Sequence, residues 1–350
     1  MHGPAGAPTR RGFLSYIATP ATLFALGQKS SPIDEASVQR MYDELRADER
    51  RDLKGVRITC AGQLLSEAYF NGGGPEALHD IRSAGKSVTS LLVGLAIDQG
   101  LIRNAGQPLT RLLRSANREH LAGITLEHLL TMRSGLSADD EDATSPGNET
   151  RLDQAKSWLD FALGVPVREA PGTRYQYCSL NAFLAGSAVE IASSRRLDDF
   201  AREHLFHPLG IRRFDWRVGP DGRVAGQGNL RLTLDAMSRI GQLCLDEGRV
   251  GRRRVVSRGW IHRSLSPIVP IGHADPYADA YGYMWFTKTH TIGGQRVRVH
   301  FASGNGGNKI YVVPVSRIVV AIASAAYGRG YGQRRSQDIL TRVLAAVRVR

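Results

Sequence analysis

The chain has 350 residues, of which 42% are hydrophobic and 23% charged, and its formal net charge is +13 at pH 7. This balance is that of a globular protein with a sizeable core. No run approaches the roughly 18 consecutive apolar residues of a membrane helix, so we expect no stable membrane insertion. The basic residues occur as scattered pairs and triplets without interleaved aromatic residues, which argues against nucleic-acid binding.

The N-terminal segment, residues 1–31, reads as a Tat-type signal and linker. Arg10-Arg11 precedes a mildly apolar stretch that runs from Tyr16 to Leu26, as in twin-arginine export signals. This pattern predicts an exported protein, periplasmic or extracellular. Pro20 inside the apolar stretch favours the alternative of an irregular N-terminal segment, in which case the protein is cytoplasmic. Residues 32–350 then form the folded domain.

The periodicity of the remaining chain predicts strands at both ends and helices between them. Residues 36–49 have the pattern of an amphipathic helix, and residues 55–70 that of two strands joined by a turn. The acidic run at 139–142 reads as an exposed loop. Short β-rich runs return after Tyr281, and a helix is predicted at 336–347. We therefore expect an α/β (α+β) fold, with an antiparallel sheet flanked by helices and completed by both chain ends. A mainly helical subdomain, about 105–270, is inserted.

A serine and a lysine three positions apart stand at the start of a predicted helix. Ser83 and Lys86 would project from the same helix face. A lysine held there can take the proton of the serine hydroxyl, so that the serine becomes a nucleophile. Burial would lower the pKa of Lys86 and favour its neutral, basic form. The N–H groups of the helix start would stabilise negative charge on the serine oxygen.

Two other kinds of site are disfavoured by spacing. Gly85-Lys86-Ser87 invites a phosphate-loop interpretation, but that loop needs glycine where this chain has Asp80. No metal-ligand spacing stands out, and the closest pair, His204 and His207, is better explained by packing at a helix end. We therefore expect neither a metal nor a cofactor.

Two later segments place polar groups just before a helix or a strand. Tyr177 closes a polar run that leads into an apolar helix, and its phenol beside Lys86 could pass a proton to a leaving group and then activate water. The segment 302–308 is rich in glycine, which lets a backbone approach a ligand closely. Taken alone, each segment is equally consistent with a half-buried aromatic residue or a hairpin turn.

Together the three segments resemble the serine β-lactamase and penicillin-binding-protein-like hydrolases, closest to the class C-type esterase and amidase branch. The resemblance covers residues from about 50 to 345. Ser83-Ala-Gly-Lys86 matches the Ser-x-x-Lys element of that family, Tyr177-Cys-Ser179 matches Tyr-x-Asn or Tyr-x-Ser, and Asn305-Gly-Gly307 stands where Lys-Thr-Gly or His-x-Gly is usual. The Tyr-x-Ser-x-Asn form is similar to that of aminohexanoate-oligomer hydrolases.

The resemblance implies a role for each matched residue. Ser83 would be acylated, Lys86 would activate it, and Tyr177 would act as acid and base. The backbone N–H groups of Ser83 and Asn308 would form the oxyanion hole. Residues expected to contact a small ester or amide substrate are Ser179, Asn181, Trp285, Asn305, Gly306 and Gly307.

Several choices stay open at this point. Asn305 replaces a cationic residue or histidine, which leaves open whether a substrate carboxylate is recognised, as in penicillins or D-Ala peptides. Ser179-Leu-Asn181 can also be read as a Ser-x-Asn element with Ser179 as the proton carrier, although its spacing favours Tyr177. We expect a serine hydrolase that forms an acyl-enzyme on Ser83. The alternatives are β-lactamase or D,D-peptidase activity, or a catalytically silent binding protein of the same fold.

Overall fold

The computed structural model describes Met1 and residues 33–113 and 118–347. The predicted export signal lies outside these residues. Contacts divide the chain into two units, Met1–Ser31 and Pro32–Arg350, and everything below concerns the second. Among the helices of the described residues, none is both long and apolar enough to cross a membrane.

The main sheet has eight antiparallel strands in the order β2-β1-β13-β12-β11-β10-β9-β8. The strands β3, β5 and β4 form a second, small sheet, and β6 pairs with β7. The bounds are β1 Leu53–Cys60, β2 Gln63–Tyr69, β3 His79–Asp80, β4 Phe214–Trp216, β5 Leu230–Leu232, β6 Arg249–Val250, β7 Arg253–Arg254, β8 Val269–Pro270, β9 Ala280–Tyr281, β10 Phe286–Ile292, β11 Gln295–Gly304, β12 Asn308–Val313 and β13 Ile318–Ser324.

In chain order, most of the helices lie between the strands that the two ends of the chain contribute to the large sheet. Their bounds are α1 Glu35–Ala47, α2 Gly85–Asp98, α3 Leu109–Leu112, α4 Leu126–Leu130, α5 Glu149–Gln154, α6 Trp158–Gly164, α7 Ser179–Ser193, α8 Leu197–Ala201, α9 Leu234–Leu245, α10 Arg258–Leu265 and α11 Gly330–Ala346. The predicted fold class is therefore confirmed, with a large antiparallel sheet to which both ends of the chain contribute.

The core forms where β13 pairs with β1 on one side and β12 on the other. Val56 of β1 lies opposite Ile322 of β13, and every residue of β13 is buried. Helices cover this region, with α9 packed on β1, β12 and β13 and α11 packed on β12 and β13. An antiparallel strand buried along its whole length has both faces covered and so reads as a continuous apolar run rather than an alternating one.

The helices α2 and α7 pack against each other beside this sheet. Both are buried on nearly all sides, from Gly85 to Ala96 in α2 and from Ser179 to Glu190 in α7. A helix without a solvated face has to be almost uniformly apolar. The polar side chains at the beginning of each helix therefore lie in the interior, where each needs a partner.

Candidate active site

Ser83 lies in a single 3₁₀ turn, Arg82–Ala84, that leads directly into α2. Arg82 has a φ of 53°, a left-handed conformation that is strained for a residue with a side chain. The backbone N–H of Arg82 donates to the Asp80 carboxylate at 2.8 Å. On the other side, a Cβ at Gly304 would lie 2.0 Å from the carbonyl oxygen of Ile81, so only glycine lets the end of β11 pack on this turn.

Lys86 is on the first turn of α2 and is 1% exposed. Its Nζ donates to the Oγ of Ser83 at 3.0 Å and to the Oγ of Ser179 at 3.1 Å. The spacing of three residues thus places the amine and the first hydroxyl on one helix face, as expected from the sequence. The second hydroxyl comes from the beginning of α7, so Lys86 joins the two buried helices.

Tyr177 lies two residues before the start of α7, and its ring lies over the same lysine. The Lys86 Nζ is 5.0 Å from the centre of that ring. Burial raises the pKa of Tyr177, and the charge of Lys86 and the Ser83 hydroxyl partly offset this by favouring the ionised phenol. The ring also packs against Phe286 of β10, with the centroids 6.3 Å apart. The structure therefore brings the hydroxyl, the amine and the phenol together.

Two carboxylates that the sequence analysis did not single out complete this cluster. The Asp140 carboxylate accepts the backbone N–H of Ser179 at 2.7 Å. Burial raises the pKa of the carboxyl of Glu149, the first residue of α5, and the Ser179 hydroxyl partly offsets this. Both carboxylates act on Lys86 through their charge. The acidic run at 139–142 was expected to be an exposed loop, but Asp140 is only partly exposed and one of its carboxylate oxygens is buried.

The net shift in the pKa of Lys86 is opposite to the one expected from burial alone. Burial alone would lower the pKa of Lys86, but the negative charges of Tyr177 as a phenolate, Glu149 and Asp140 outweigh it and raise that pKa. Burial also raises the pKa of Tyr177, although Lys86 offsets part of the effect. Because both pKa values are raised, Lys86 is an ammonium and Tyr177 a neutral phenol at neutral pH, and the phenolate contributes to the Lys86 pKa only when Tyr177 ionises. Burial thus acts on the Lys86 pKa in the direction expected from the sequence, but the charged neighbours reverse the net direction.

A cleft of about 1080 Å³ opens above Ser83, and we refer to it as the Ser83 cleft. Besides Ser83 and Tyr177, its walls include Asp139, Asp140, Glu141, Glu149, Phe286, Asn305 and Gly306. Further along the same cleft lie His273, Asp275, Ser303, Lys309, Arg329 and Gln333. The cleft is large enough for a small organic substrate.

Some predicted substrate contacts are placed elsewhere. Among the described residues that line the Ser83 cleft, Asn305 and Gly306 are present, whereas Ser179, Asn181, Trp285 and Gly307 are not. Ser179 and Trp285 are fully buried. Asn181 is 1% exposed, and its amide reaches the Met132 sulfur at 3.4 Å. Of these residues, Ser179 contacts the site through its hydrogen bond to Lys86.

Asn308, predicted to supply an oxyanion N–H, is fully buried at the start of β12. Its side-chain amide donates to the carbonyl oxygens of Asn305 and Ser324, each at 2.9 Å. Its side-chain oxygen accepts the N–H of Ser324 at 3.0 Å. Asn308 thus holds the turn that follows β11 through its side chain, and the role of its backbone N–H in the oxyanion hole stays a prediction. Asn305, the first residue after β11, is the one that faces the cleft.

Cys178 and a metal ion are poor candidates for the chemistry at this site. Burial raises the pKa of the Cys178 thiol to about 12, so it is not a thiolate at neutral pH. Within the described ranges, no three histidine, cysteine or carboxylate side chains are grouped so that they could hold a metal ion.

A family model described as Beta-lactamase matches residues 38–342. Among curated proteins, the chain is 28% identical over 222 residues to the 6-aminohexanoate-dimer hydrolase of Paenarthrobacter ureafaciens, covering 60% of this chain and 56% of that protein. It is 26% identical over 189 residues to penicillin-binding protein 4 of Amycolatopsis lactamdurans, covering 51% of this chain and 49% of that protein. The matches span about half the length of these curated relatives.

A solved structure of similar fold is the D-amino acid amidase of Ochrobactrum anthropi SV3, crystallised with L-phenylalanine amide. The TM-score is 0.68 at 17% identity, and the superposition covers 89% of this chain and 97% of the amidase. At this identity the likeness concerns the fold.

Proposed function

This chain belongs to the beta-lactamase family, and we propose that it is a serine hydrolase that cleaves an ester or amide bond through an acyl-enzyme on Ser83. The observation that carries the proposal is the hydrogen bond of 3.0 Å between the buried Lys86 amine and the Ser83 hydroxyl. The name of one relative, a 6-aminohexanoate-dimer hydrolase, agrees with hydrolase activity.

Acylation begins from a form of the site that has lost one proton. An ammonium and a neutral phenol are both without basic capacity, so the coupled pair of Lys86 and Tyr177 must release a proton before it can accept one from Ser83. The Ser83 oxygen then attacks the carbonyl carbon. When the tetrahedral intermediate collapses, Tyr177 donates the proton to the departing oxygen or nitrogen. The C–O or C–N bond breaks, and the acyl group stays on Ser83 as an ester.

The negative oxygen of the intermediate needs donors that are already in position. We assign this role to the backbone N–H groups of Ser83 and Asn305. Asn305 is preferred over Asn308 because it lines the cleft at the end of β11, next to the Gly304 contact with the serine turn. Loss of one such donor typically costs about 3 kcal/mol of transition-state stabilisation.

Deacylation uses the same groups in reverse. Tyr177, again in its basic form with Lys86, takes a proton from water, and the resulting hydroxide attacks the ester carbonyl. Ser83 leaves with a proton from the pair, which restores the starting state. Tyr177 is preferred over Ser179 as the proton carrier because Tyr177 lines the cleft, whereas Ser179 is fully buried behind Lys86.

A fluorophosphonate probe tests the nucleophile directly. The probe loses fluoride as the serine oxygen bonds to phosphorus, and intact mass with peptide mapping locates the adduct. We expect one adduct on Ser83, none in Ser83→Ala, and normal labelling of Ser316→Ala, a serine in the distant turn between β12 and β13. An adduct that persists in Ser83→Ala would place the nucleophile elsewhere. A properly folded protein that is never labelled would favour the silent binding protein.

The substrate class needs a separate comparison. Turnover of nitrophenyl esters and linear amide dimers, with little turnover of nitrocefin or D-Ala-D-Ala peptides, is the expected result. Faster turnover of nitrocefin or D-Ala-D-Ala peptides than of the nitrophenyl esters and linear amide dimers would favour the β-lactamase or D,D-peptidase alternative.

We also propose export through the twin-arginine segment. The proposal is supported by Arg10-Arg11 and the apolar residues after it. Replacing both arginines with lysine should retain the protein in the cytoplasm on cell fractionation.

A further inference from the structure

The Ser83 cleft contains a second buried lysine that the mechanism above does not use. Lys309 of β12 is 2% exposed, yet it lines the same cleft as Ser83. It lies opposite Ser303 of β11 in the strand register, and its Nζ donates to the Ser303 hydroxyl at 2.7 Å. Phe301 and Tyr311 flank the amine, with ring centres at 4.7 and 5.9 Å.

This arrangement leaves the amine short of partners. An ammonium group has three donors, and the bond to Ser303 uses one of them. Asp275, in the cleft wall before β9, favours the charged form of Lys309 through its charge. Burying an ammonium that has one hydrogen-bond acceptor and two flanking aromatic rings is costly. An anionic group that enters the cleft would supply the missing acceptor.

We propose that Lys309 and Ser303 form a subsite that binds a carboxylate of the substrate while Ser83 attacks the ester or amide carbonyl. This inference rests on the proposed function. Asn305 has no positive charge with which to bind a substrate carboxylate. The subsite shows how such a carboxylate could still be recognised. The cation is supplied by the neighbouring strand, and the Ser303 hydroxyl, which accepts from Lys309, is free to donate its own proton to the same carboxylate.

Such a subsite would depend on pH. Burial lowers the pKa of Lys309 to about 7, and Asp275 partly opposes this. The amine is therefore charged below that pH and neutral above it, so preference for a carboxylate should fall as the pH rises. Among the described residues, the other titratable or charged groups that line the cleft are Asp139, Asp140, Glu141, Glu149, Arg174, Tyr175, Tyr177, His273, Tyr277 and Arg329.

The test compares matched esters that differ in one charge. One series consists of 4-nitrophenyl monoesters of dicarboxylic acids from succinate to pimelate, each paired with the uncharged acyl ester of similar length. A second pair, 3-carboxyphenyl butyrate and phenyl butyrate, carries the carboxylate on the leaving group. The measured quantity is the ratio of kcat/KM for the charged ester to that for its uncharged partner. The contributions of protein residues that act on both esters alike, including Ser83 and Lys86, cancel in this ratio.

We expect the ratio of the best charged ester to fall at least about tenfold in Lys309→Met, since a charge-assisted hydrogen bond is lost. Lys309→Arg should retain part of it. Lys156→Met, which removes an exposed lysine outside the cleft, should leave the ratio as in the wild type. In the wild type, the ratio should fall between pH 6 and 9, and this fall should disappear in Lys309→Met but persist in His273→Gln.

Failure of this inference is distinguishable from failure of the proposed function. If both esters are hydrolysed and the ratio is within twofold of wild type in Lys309→Met, the subsite does not exist. If Lys309→Met does not fold, a flat ratio from pH 6 to 9 in the wild type equally rules out the subsite. If neither ester is hydrolysed and Ser83 is not labelled, it is the proposed function that is wrong.

Discussion

At the scale of single residues, the charge on Lys86 is decided by its neighbours more than by its burial. Tyr177, Glu149 and Asp140 together hold its pKa above the ordinary value, although burial acts in the opposite direction. The same Asp140 also raises the pKa of Tyr177. A proton therefore has to leave this cluster before catalysis, and activity should rise with pH on the acid side of the profile.

Asp140→Asn tests this account of the resting charge. Removing the negative charge disfavours the ammonium of Lys86 and favours the phenolate of Tyr177, so the active form appears at lower pH. We expect the acid limb of kcat/KM against pH to move to lower pH, while the asparagine oxygen can still accept the Ser179 N–H. Glu141→Gln, also in the cleft wall, is the charge-matched control. A limb that stays in place or moves upward would contradict the assignment.

Tyr177→Phe against Ser179→Ala separates the two candidate proton carriers. Phenylalanine keeps the ring contact with Phe286 but removes the hydroxyl at Ser83, so kcat should fall roughly 10²–10⁴-fold, as for loss of a general acid–base. Ser179→Ala should cost less, because Ser179 does not line the cleft. Tyr42→Phe, in the core beside Phe70, controls for loss of a tyrosine hydroxyl. A larger loss in Ser179→Ala would reverse the assignment.

The sequence predicts those parts of the site that depend on local spacing. Three residues on a helix bring Ser83 and Lys86 together, whatever surrounds them. Asp140 and Glu149 have no such signal, because they come from a loop and from the beginning of α5 and meet Lys86 through tertiary contacts. Asn308 was implied by the resemblance to a known family, and only the geometry of the β11–β12 turn shows that its side chain faces the interior.

At the scale of elements, the close approach of α10 to a glycine of α2 fixes the position of α2. A Cβ at Gly94 would lie 2.2 Å from the indole of Trp260, and this indole is fixed by a hydrogen bond of 2.9 Å to the carbonyl oxygen of Ser90. The sequence shows α2 as a buried apolar run, but it does not indicate which glycine has a structural purpose. That information lies in α10, which is distant in the chain.

Gly94→Ala therefore should destabilise the protein, against the ordinary helix preference. Alanine in a helix is favoured over glycine by about 1 kcal/mol, but overpacking of a rigid neighbour typically costs about 1–3 kcal/mol and should win. Gly259→Ala is the matched control, since a Cβ at this position in α10 meets no atom within 4 Å, and it should be neutral or stabilising. Urea unfolding of the two variants measures the difference, and equal stabilities would show that Trp260 can move aside.

At the scale of the whole molecule, the sheet joins strands from both ends of the chain. Strands β1 and β2 come from residues 53–69, and β11 to β13 from residues 295–324. These strands are long, and their sequence patterns predict them. The pattern of the C-terminal segment likewise predicts the helix observed at Gly330–Ala346. The two-residue strands β8 and β9 carry no comparable pattern, because only their pairing with neighbours defines them. Folding of this sheet requires contacts between distant parts of the chain.

His300, in the middle strand β11, links the stability of this sheet to pH. Burial, with a smaller effect of Arg298, lowers its pKa to about 4, and its ring nitrogen is 3.0 Å from the Thr287 hydroxyl. Between about pH 6.5 and 4 the unfolded chain binds the proton that the folded protein does not, so the free energy of unfolding falls as the pH falls. The loss attributable to His300 should be about 3 kcal/mol at most. His300→Gln should reduce the slope of unfolding free energy against pH in this window, whereas His120→Gln, at an exposed position, should retain it. Parallel slopes in the wild type and His300→Gln would mean that the folded sheet accepts a charged imidazole.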